Sequence, residues 1–292
     1  MPYFVVGATS NTGDAVITRL AKKVGGAQIR CLVRPTSPTG LLQQLGIAMH
    51  VGDVLEPASY AAQLTPETIY LDMSHPKHYH ISLDTVKKAG VRRAYFVTST
   101  GVFSQYRRCA SIYEENEEKI RNSGINYTII RPSMIYGSLR DRNMIRLIRF
   151  LDRLPIYPLF GEGTNLMQPV FFEDLADGIV ATIDNPKSAR QEYNLAGPEA
   201  LTYREILETI IRLLDRRVAL WRVHPGLAYR LVQVLQYLPK FPIKDEQVLR
   251  MREDKTFDIT KAQADLAFQP RAFHEGIALE VAAYRATRGS RP

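Results

Sequence analysis

The seven residues Gly7–Gly13, GATSNTG, follow a short apolar run and open a helical pattern, and their types suit one task. Gly7 ends the run where a left-handed or closely approached backbone needs no Cβ. Gly13 lets the helix lie close to the strand, so the backbone N–H groups of Thr9, Ser10, Asn11, Thr12 and Gly13 face a pyrophosphate at the helix N-terminus. Ser10 stands where the usual pattern has a middle glycine, and its small side chain fits the rim of such a turn. A plain strand-to-helix turn is the alternative. The second apolar run, IRCLVRPTS, ends in Arg34 rather than in a carboxylate. A guanidinium there matches a ribose 2′-phosphate, with Thr36 and Ser37 beside it, so NADP(H) is favoured over NAD(H). Asp53, in HVGDV, suits an adenine amino group or a cap on the turn that follows.

The stretch DMSHPKHYH gathers His75, His78 and His80, yet no cysteine or carboxylate pattern completes a tetrahedral set, and no metal site is expected. The formal net charge is +8 over 292 residues. Its densest basic group, Arg140 to Arg153, alternates with Met144, Ile145, Leu147, Ile148 and Leu151. That is the pattern of an amphipathic helix with a solvated basic face; an anionic cofactor or substrate is expected, and a nucleic-acid partner is not. Two cysteines, Cys31 and Cys109, make no disulfide framework. With no leader-like or membrane-spanning apolar run, a cytoplasmic protein is expected. Residues 221–241, WRVHPGLAYRLVQVLQYLPKF, are apolar at helical spacing with basic residues between. A helix packed on its own lobe is favoured there over contact with a membrane or a partner helix.

These residues need a scaffold whose strands end at one edge. Strands are expected at Tyr3–Val6, Ile29–Val33, Ala48–Val51, Thr68–Leu71, Arg93–Thr98 and Tyr127–Ile130. Helices at Asp14–Lys23, Leu41–Gly46, Ser82–Ala89 and Ile112–Arg121 separate them. This alternation predicts an α/β fold, a Rossmann-type doubly wound parallel sheet that binds ligands beyond the carboxyl ends of its strands. After Gly137 the pattern turns helical, over about 140–153, 173–184, 202–214, 225–237 and 244–252, with extended pieces at Gln168–Phe171 and Glu192–Leu195. Residues 1–137 therefore read as an NAD(P)-binding domain, with 171–195 crossing back to it. Residues 138–170 and 196–292 read as a smaller, mostly helical substrate lobe.

Taken in order, these segments resemble the atypical and extended short-chain dehydrogenase/reductase proteins, near the epimerase/dehydratase and NmrA-like groups. GATSNTG is similar to the NmrA-like GATGNTG fingerprint. GVRRAYFVTSTGVF resembles the family's fifth strand, SGINYTIIRPSMIYG its sixth strand and following loop, and MQPVFFEDLADGI its hPVhVxDLA segment. YNLAGPEALTYREI and KTFDITKAQADLAFQP resemble its C-terminal lobe. The resemblance implies that Met73, Ser74 and His75 line the nicotinamide half of the cofactor, joined by Thr98 and Ser99 at the fifth strand's end. Pro132, Ser133 and Met134 would lie by the nicotinamide, and Gln168 would face substrate or simply end a strand.

The resemblance also implies catalysis by a Ser/Thr at the end of the fifth strand and a Tyr-x-x-x-Lys on the next helix. Thr100 fits the first role and Tyr113 the second, but Glu117 stands where the lysine belongs. A lysine lowers the tyrosine pKa from its usual value of about 10; a carboxylate one turn away raises it. Lys119 falls on another helical face. Three readings stay open. One is an epimerase, dehydratase or reductase with altered acid/base chemistry, in which Glu117 serves as a base. Another is a module that senses NADPH or assembles a complex without turnover. In the third, Tyr113 and Glu117 are ordinary helix-surface residues. A small-molecule substrate, nucleotide-sugars among the candidates, is the expected partner, and a homodimer is compatible with the sequence.

Overall fold

The computed structural model describes residues 2–106, 109–141, 143–224, 226, 250 and 253–289. Strand β1 (Tyr3–Val6) is apolar on both faces, and the period-two alternation of a strand sends its side chains into two different cores. Phe4 and Val6 pack with Tyr70, Leu83 and Phe96, whereas Tyr3 and Val5 pack with Ile17, Leu20 and Leu71. Burial on both faces is the mark of a parallel sheet covered by helices. Six more strands join it, β2 (Ile29–Val33), β3 (Ala48–Val51), β4 (Ile69–Asp72), β5 (Arg93–Val97), β6 (Asn126–Pro132) and the strand Gln191–Leu195, of which the edge strand β3 leaves Met49 and Val51 exposed. Among the described residues they form one seven-stranded sheet in the order Gln191–Leu195, β6, β5, β4, β1, β2, β3. Every pairing in it is parallel. The fold is thus a Rossmann-type α/β sheet, and its strand order reverses between β1 and β4, where such sheets bind their ligands.

Helices cover both faces: α1 (Asn11–Val24), α2 (Gly40–Gln44), α3 (Tyr79–Lys88), α4 (Ala110–Arg121) and, after a return to the sheet, α6 (Phe172–Thr182). Helix α1 begins three residues before the expected Asp14 because Ser10 is its N-cap. Ser10 has extended backbone angles, and its Oγ accepts the Gly13 N–H at 2.9 Å. Leu175 and Ile179 of α6 share a core with Val16 and Leu20 of α1, and Arg19 is ion-paired with Asp177 across the two helices.

Beyond Gly137 lies a separate core. Met144, Ile148 and Leu151 of α5 (Met144–Arg153) pack with Ile206 and Ile210 of α7 (Tyr203–Leu213) and with Ile277 and Val281 of the C-terminal helix Phe273–Gly289. This lobe contains strand as well as helix, since Ile156–Phe160 pairs in parallel with Ala219–Val223. The start of the 221–241 stretch is therefore strand rather than helix, and Trp221 in it is 68% exposed. The rest of that stretch, apart from residues 222–224 and 226, and the expected helices at 225–237 and 244–252, apart from residues 226 and 250, lie outside the described residues. Among the described residues no helix is long and apolar enough to cross a membrane.

Candidate cofactor and substrate site

At the end of β1 the backbone of Gly7 is left-handed, with φ of 83°. A Cβ there would lie 2.6 Å from the Met73 carbonyl oxygen, and one on Gly13 would lie 2.3 Å from that of Gly7. Both positions are therefore closed to any side chain. The Ser10 N–H donates to Gly7 O at 3.2 Å and the Gly13 N–H to Ser10 Oγ, so the turn holds two of its own N–H groups. Those of Asn11 and Thr12, in the first turn of α1, remain for a phosphate, where the helix dipole also favours an anion. Ser10, expected only to be tolerated at the rim, shapes the turn as a cap.

Two residues from the far side of the crevice reach this turn, and sequence reading assigned neither to it. Ser138 donates to Asn11 Oδ1 at 2.6 Å, while Arg140 is ion-paired with Asp14 and bonds Thr9 O at 3.2 Å. The sequence pattern places Arg140 on the solvated face of a basic helix, but α5 starts only at Met144. At the adenosine end, Arg34 is exposed and its side chain is in no ion pair among the described residues. Its backbone is fixed in a tight turn by Ser37, whose N–H donates to Arg34 O at 2.9 Å. Asp53 accepts the Leu55 N–H at 2.9 Å, which is the capping role.

The nicotinamide side is shaped by a buried carboxyl. Asp72 ends β4 without exposure, and burial lifts its pKa above the usual carboxylate range. It accepts the Ser74 N–H at 2.9 Å and so bends the chain that carries Met73, Ser74 and His75. The His75 ring caps the next turn through the Lys77 N–H and lies 6.0 Å from the ring of Tyr113 and 6.1 Å from that of His78. Among the described residues no group of three or more His, Cys, Asp or Glu could hold a metal. On the next strand end, Thr98 donates to Glu117, Ser99 accepts the Gly101 N–H at 3.1 Å, and Thr100 donates to Pro132 O at 3.2 Å.

Glu117 and Tyr113 are each 1% exposed, which corrects their reading as helix-surface residues. Helix α4 turns Tyr113, Asn116, Glu117 and Ile120 inward, a spacing that places all four on one face. The Glu117 carboxylate is fully engaged. Arg131 of β6 donates through Nε to both oxygens at 3.0 Å and through Nη2 at 2.5 Å. Thr98 donates at 2.7 Å and Arg121 at 3.3 Å, and both arginines also bond Glu192. A general base needs a free lone pair within reach of substrate. Glu117 has neither, so the geometry makes it the counter-ion of a buried arginine, and its expected role as a base is corrected on that ground.

The cleft facing Ser99 and Thr100 has a volume of about 660 Å³. Ser133 and Met134 continue its Rossmann-side wall, and Met167, Phe257 and Lys255 form the opposite one. Tyr113 and Glu117 do not line it; Tyr106 does. The Ser133 hydroxyl donates to Gln168 O at 2.6 Å. The Gln168 side chain is held within the second lobe, donating to Gly197 O and accepting the Phe257 N–H, each at 2.7 Å, so its amide is structural as well as cleft-lining. Lys255 is the functional candidate that sequence reading missed. Burial, and then the charge of Arg250, push its pKa down to about 8.

Residues 7–150 match the NAD(P)H-binding family. The chain is 29% identical over 145 residues to the Arabidopsis thaliana mitochondrial NADH dehydrogenase [ubiquinone] 1 alpha subcomplex subunit 9, covering 49% of this chain and 36% of that protein. It is 24% identical over 222 residues to an NAD(P)H azoreductase of Xenophilus azovorans, covering 73% and 74%. The chain spans less than half the length of the leading curated relatives, 44% and 36%. Among solved structures, the NADPH-dependent quinone oxidoreductase of Escherichia coli, complexed with NADPH, superposes with a TM-score of 0.79 at 18% identity over 97% of this chain and 99% of that one.

Proposed function

We propose that this chain, whose residues 7–150 match the NAD(P)H-binding family, is an NADPH-dependent reductase of the short-chain dehydrogenase/reductase type that passes hydride to a conjugated acceptor without a tyrosine–lysine relay. The observation that carries this reading is the closed Glu117–Arg131–Arg121 cluster beside an open cleft. Epimerases and dehydratases begin by oxidising an alcohol, which needs a base; here the carboxylate at the relay position is held by two guanidinium groups. Reduction of an isolated carbonyl builds up alkoxide character and needs an acid in the same place. A quinone- or azo-type acceptor needs neither at the moment of transfer. The hydride leaves the nicotinamide C4 with both electrons, the displaced electron pair spreads over the conjugated system, and a proton from solvent completes the reduced product. The names of the azoreductase and the quinone oxidoreductase support this acceptor class.

NADPH is the preferred donor in this reading, with Arg34 on its 2′-phosphate. The test pairs binding with turnover. Fluorescence titration is expected to show NADPH binding tighter than NADH, with Arg34→Ala weakening NADPH by about tenfold, the loss of one charge-assisted contact, and leaving NADH unchanged. Stopped-flow mixing with a naphthoquinone and with a carboxylated azo dye should then show NADPH oxidation. A second reading, a binding module without turnover, draws on the burial of Tyr113 and the likeness to the complex I subunit. Tight NADPH binding with no oxidation by either acceptor would select it.

A further inference from the structure

We propose that the lobe-side wall of the cleft is an anion-recognition site, centred on Lys255 with Arg250 beside it, which selects substrates carrying a fixed negative charge such as a carboxylate or sulfonate. As a statement about substrates this rests on the reductase reading; as a statement about ligand binding it does not. Both side chains line the cleft. The Lys255 ammonium is half-buried, donates to the Arg250 carbonyl oxygen at 2.5 Å, and is in no ion pair among the described residues. Arg250 Nε is buried with no hydrogen-bond partner among the described residues.

The acids on the same segment are committed elsewhere. Glu253 accepts the Ser104 hydroxyl at 2.8 Å and the N–H groups of Gln105 and Tyr106 at 2.7 and 3.2 Å. Asp254 accepts the Leu166 N–H at 2.8 Å. The Glu253 bonds tie the two lobes together across the cleft, which Glu253 and Asp254 also line, and the two cations face the neutral groups Ser99, Thr100, Ser133 and Gln168. Two like charges held side by side and partly out of water disfavour each other. An anion placed between them would relieve that repulsion and give both donors an acceptor, and the low local dielectric would strengthen the contact. Lys255 sits beside Phe257, whose ring lies 6.1 Å from that of Phe103, so a flat ring against this aromatic pair could carry its acidic group to the ammonium.

The full-length protein saturated with NADP⁺ is titrated calorimetrically with naphthalene-2-sulfonate and with the uncharged naphthalene-2-sulfonamide. The parent should bind the sulfonate at least tenfold more tightly, Lys255→Gln should bring the two to parity, and Lys255→Arg should keep the preference. Because Arg250, Glu253 and Asp254 are the charged neighbours and burial dominates, the ammonium deprotonates as pH rises through about 8, and the preference should fade there. Equal affinities in the parent, or an undiminished preference in Lys255→Gln, overturn the proposal. Thermal melts of the variants separate lost binding from lost folding, and the charge-retaining arginine variant supplies the positive control. Turnover with a sulfonated and an unsulfonated naphthoquinone is then compared. Reduction of neither, with the binding preference intact, would sink the reductase reading and leave the anion site standing.

Discussion

The two ends of one crevice are built by different means. At the phosphate end the working groups are backbone N–H groups, and what secures them is space: the Cβ positions of Gly7 and Gly13 are already filled by backbone atoms. At the relay end the working groups would be side chains, and the space is filled by an ion-pair cluster whose members satisfy one another. A backbone site tolerates changes of side chain so long as the turn keeps its shape, as Ser10 shows by serving as a cap where a glycine is usual. A side-chain site depends on the identity of each group, and one exchange, lysine to Glu117, reorganises it around Arg131. Cofactor binding and proton relay are therefore separable tasks in this fold, and in the proposed reading this chain keeps the first without the second.

The hardest test of that contrast is charge reversal at the relay end. Glu117→Lys restores the family's motif on paper, but in this structure it would set an ammonium against Arg131 and Arg121. Removing the partner of a buried charge costs about 3–5 kcal/mol, and adding a like charge costs more. The variant should melt far below the parent or fail to fold, and Glu117→Lys/Arg131→Glu should recover much of the loss. A single variant that melts within a few degrees of the parent and gains carbonyl reductase activity would show the cluster to be incidental.

At the phosphate end the corresponding break is Gly13→Ala. Its added methyl would sit 2.3 Å from Gly7 O, so turn and helix must part. Overpacking of this kind costs roughly 1–3 kcal/mol, and NADPH affinity measured by fluorescence should fall by about ten- to a hundredfold. Gly40→Ala, where a Cβ meets open space, is the control and should leave binding as it is.

What the sequence revealed divides along the same line. The inner strands of the sheet are legible because burial on both faces makes them short apolar runs, and the dinucleotide turn because its signal is local. Helix α1 was read three residues short because a serine cap looks like a loop residue until its partner is known. The side-chain site was not legible in the same way. Glu117 acquires its meaning from Arg131, 14 residues on, and Arg140 acts on Asp14 from 126 residues away. Lys255 carried no local signal at all: only the packing of the second lobe brings it to the cleft, and only burial there changes its chemistry. Periodicity records which face a residue takes, not which residue faces it.

The smallest effect expected is at Tyr113, and it sharpens the comparison most. A residue working as general acid or base contributes roughly 10²–10⁴-fold to the rate. In the reductase reading the hydride step needs no proton from α4, and Tyr113 neither lines the cleft nor has a lysine one turn away. Its ring is packed edge-on to that of His75, and Tyr113→Phe keeps this ring contact while deleting only the hydroxyl. The variant should lose about 1 kcal/mol of stability at most, the typical worth of a buried hydroxyl's hydrogen bond. Its kcat/KM for a naphthoquinone, and the pH dependence of that value, should stay within about threefold of the parent, well under the general-acid range. A fall of a hundredfold at unchanged NADPH affinity would return the tyrosine to the chemistry. The relay end would then have to be described as rebuilt with a different partner rather than closed.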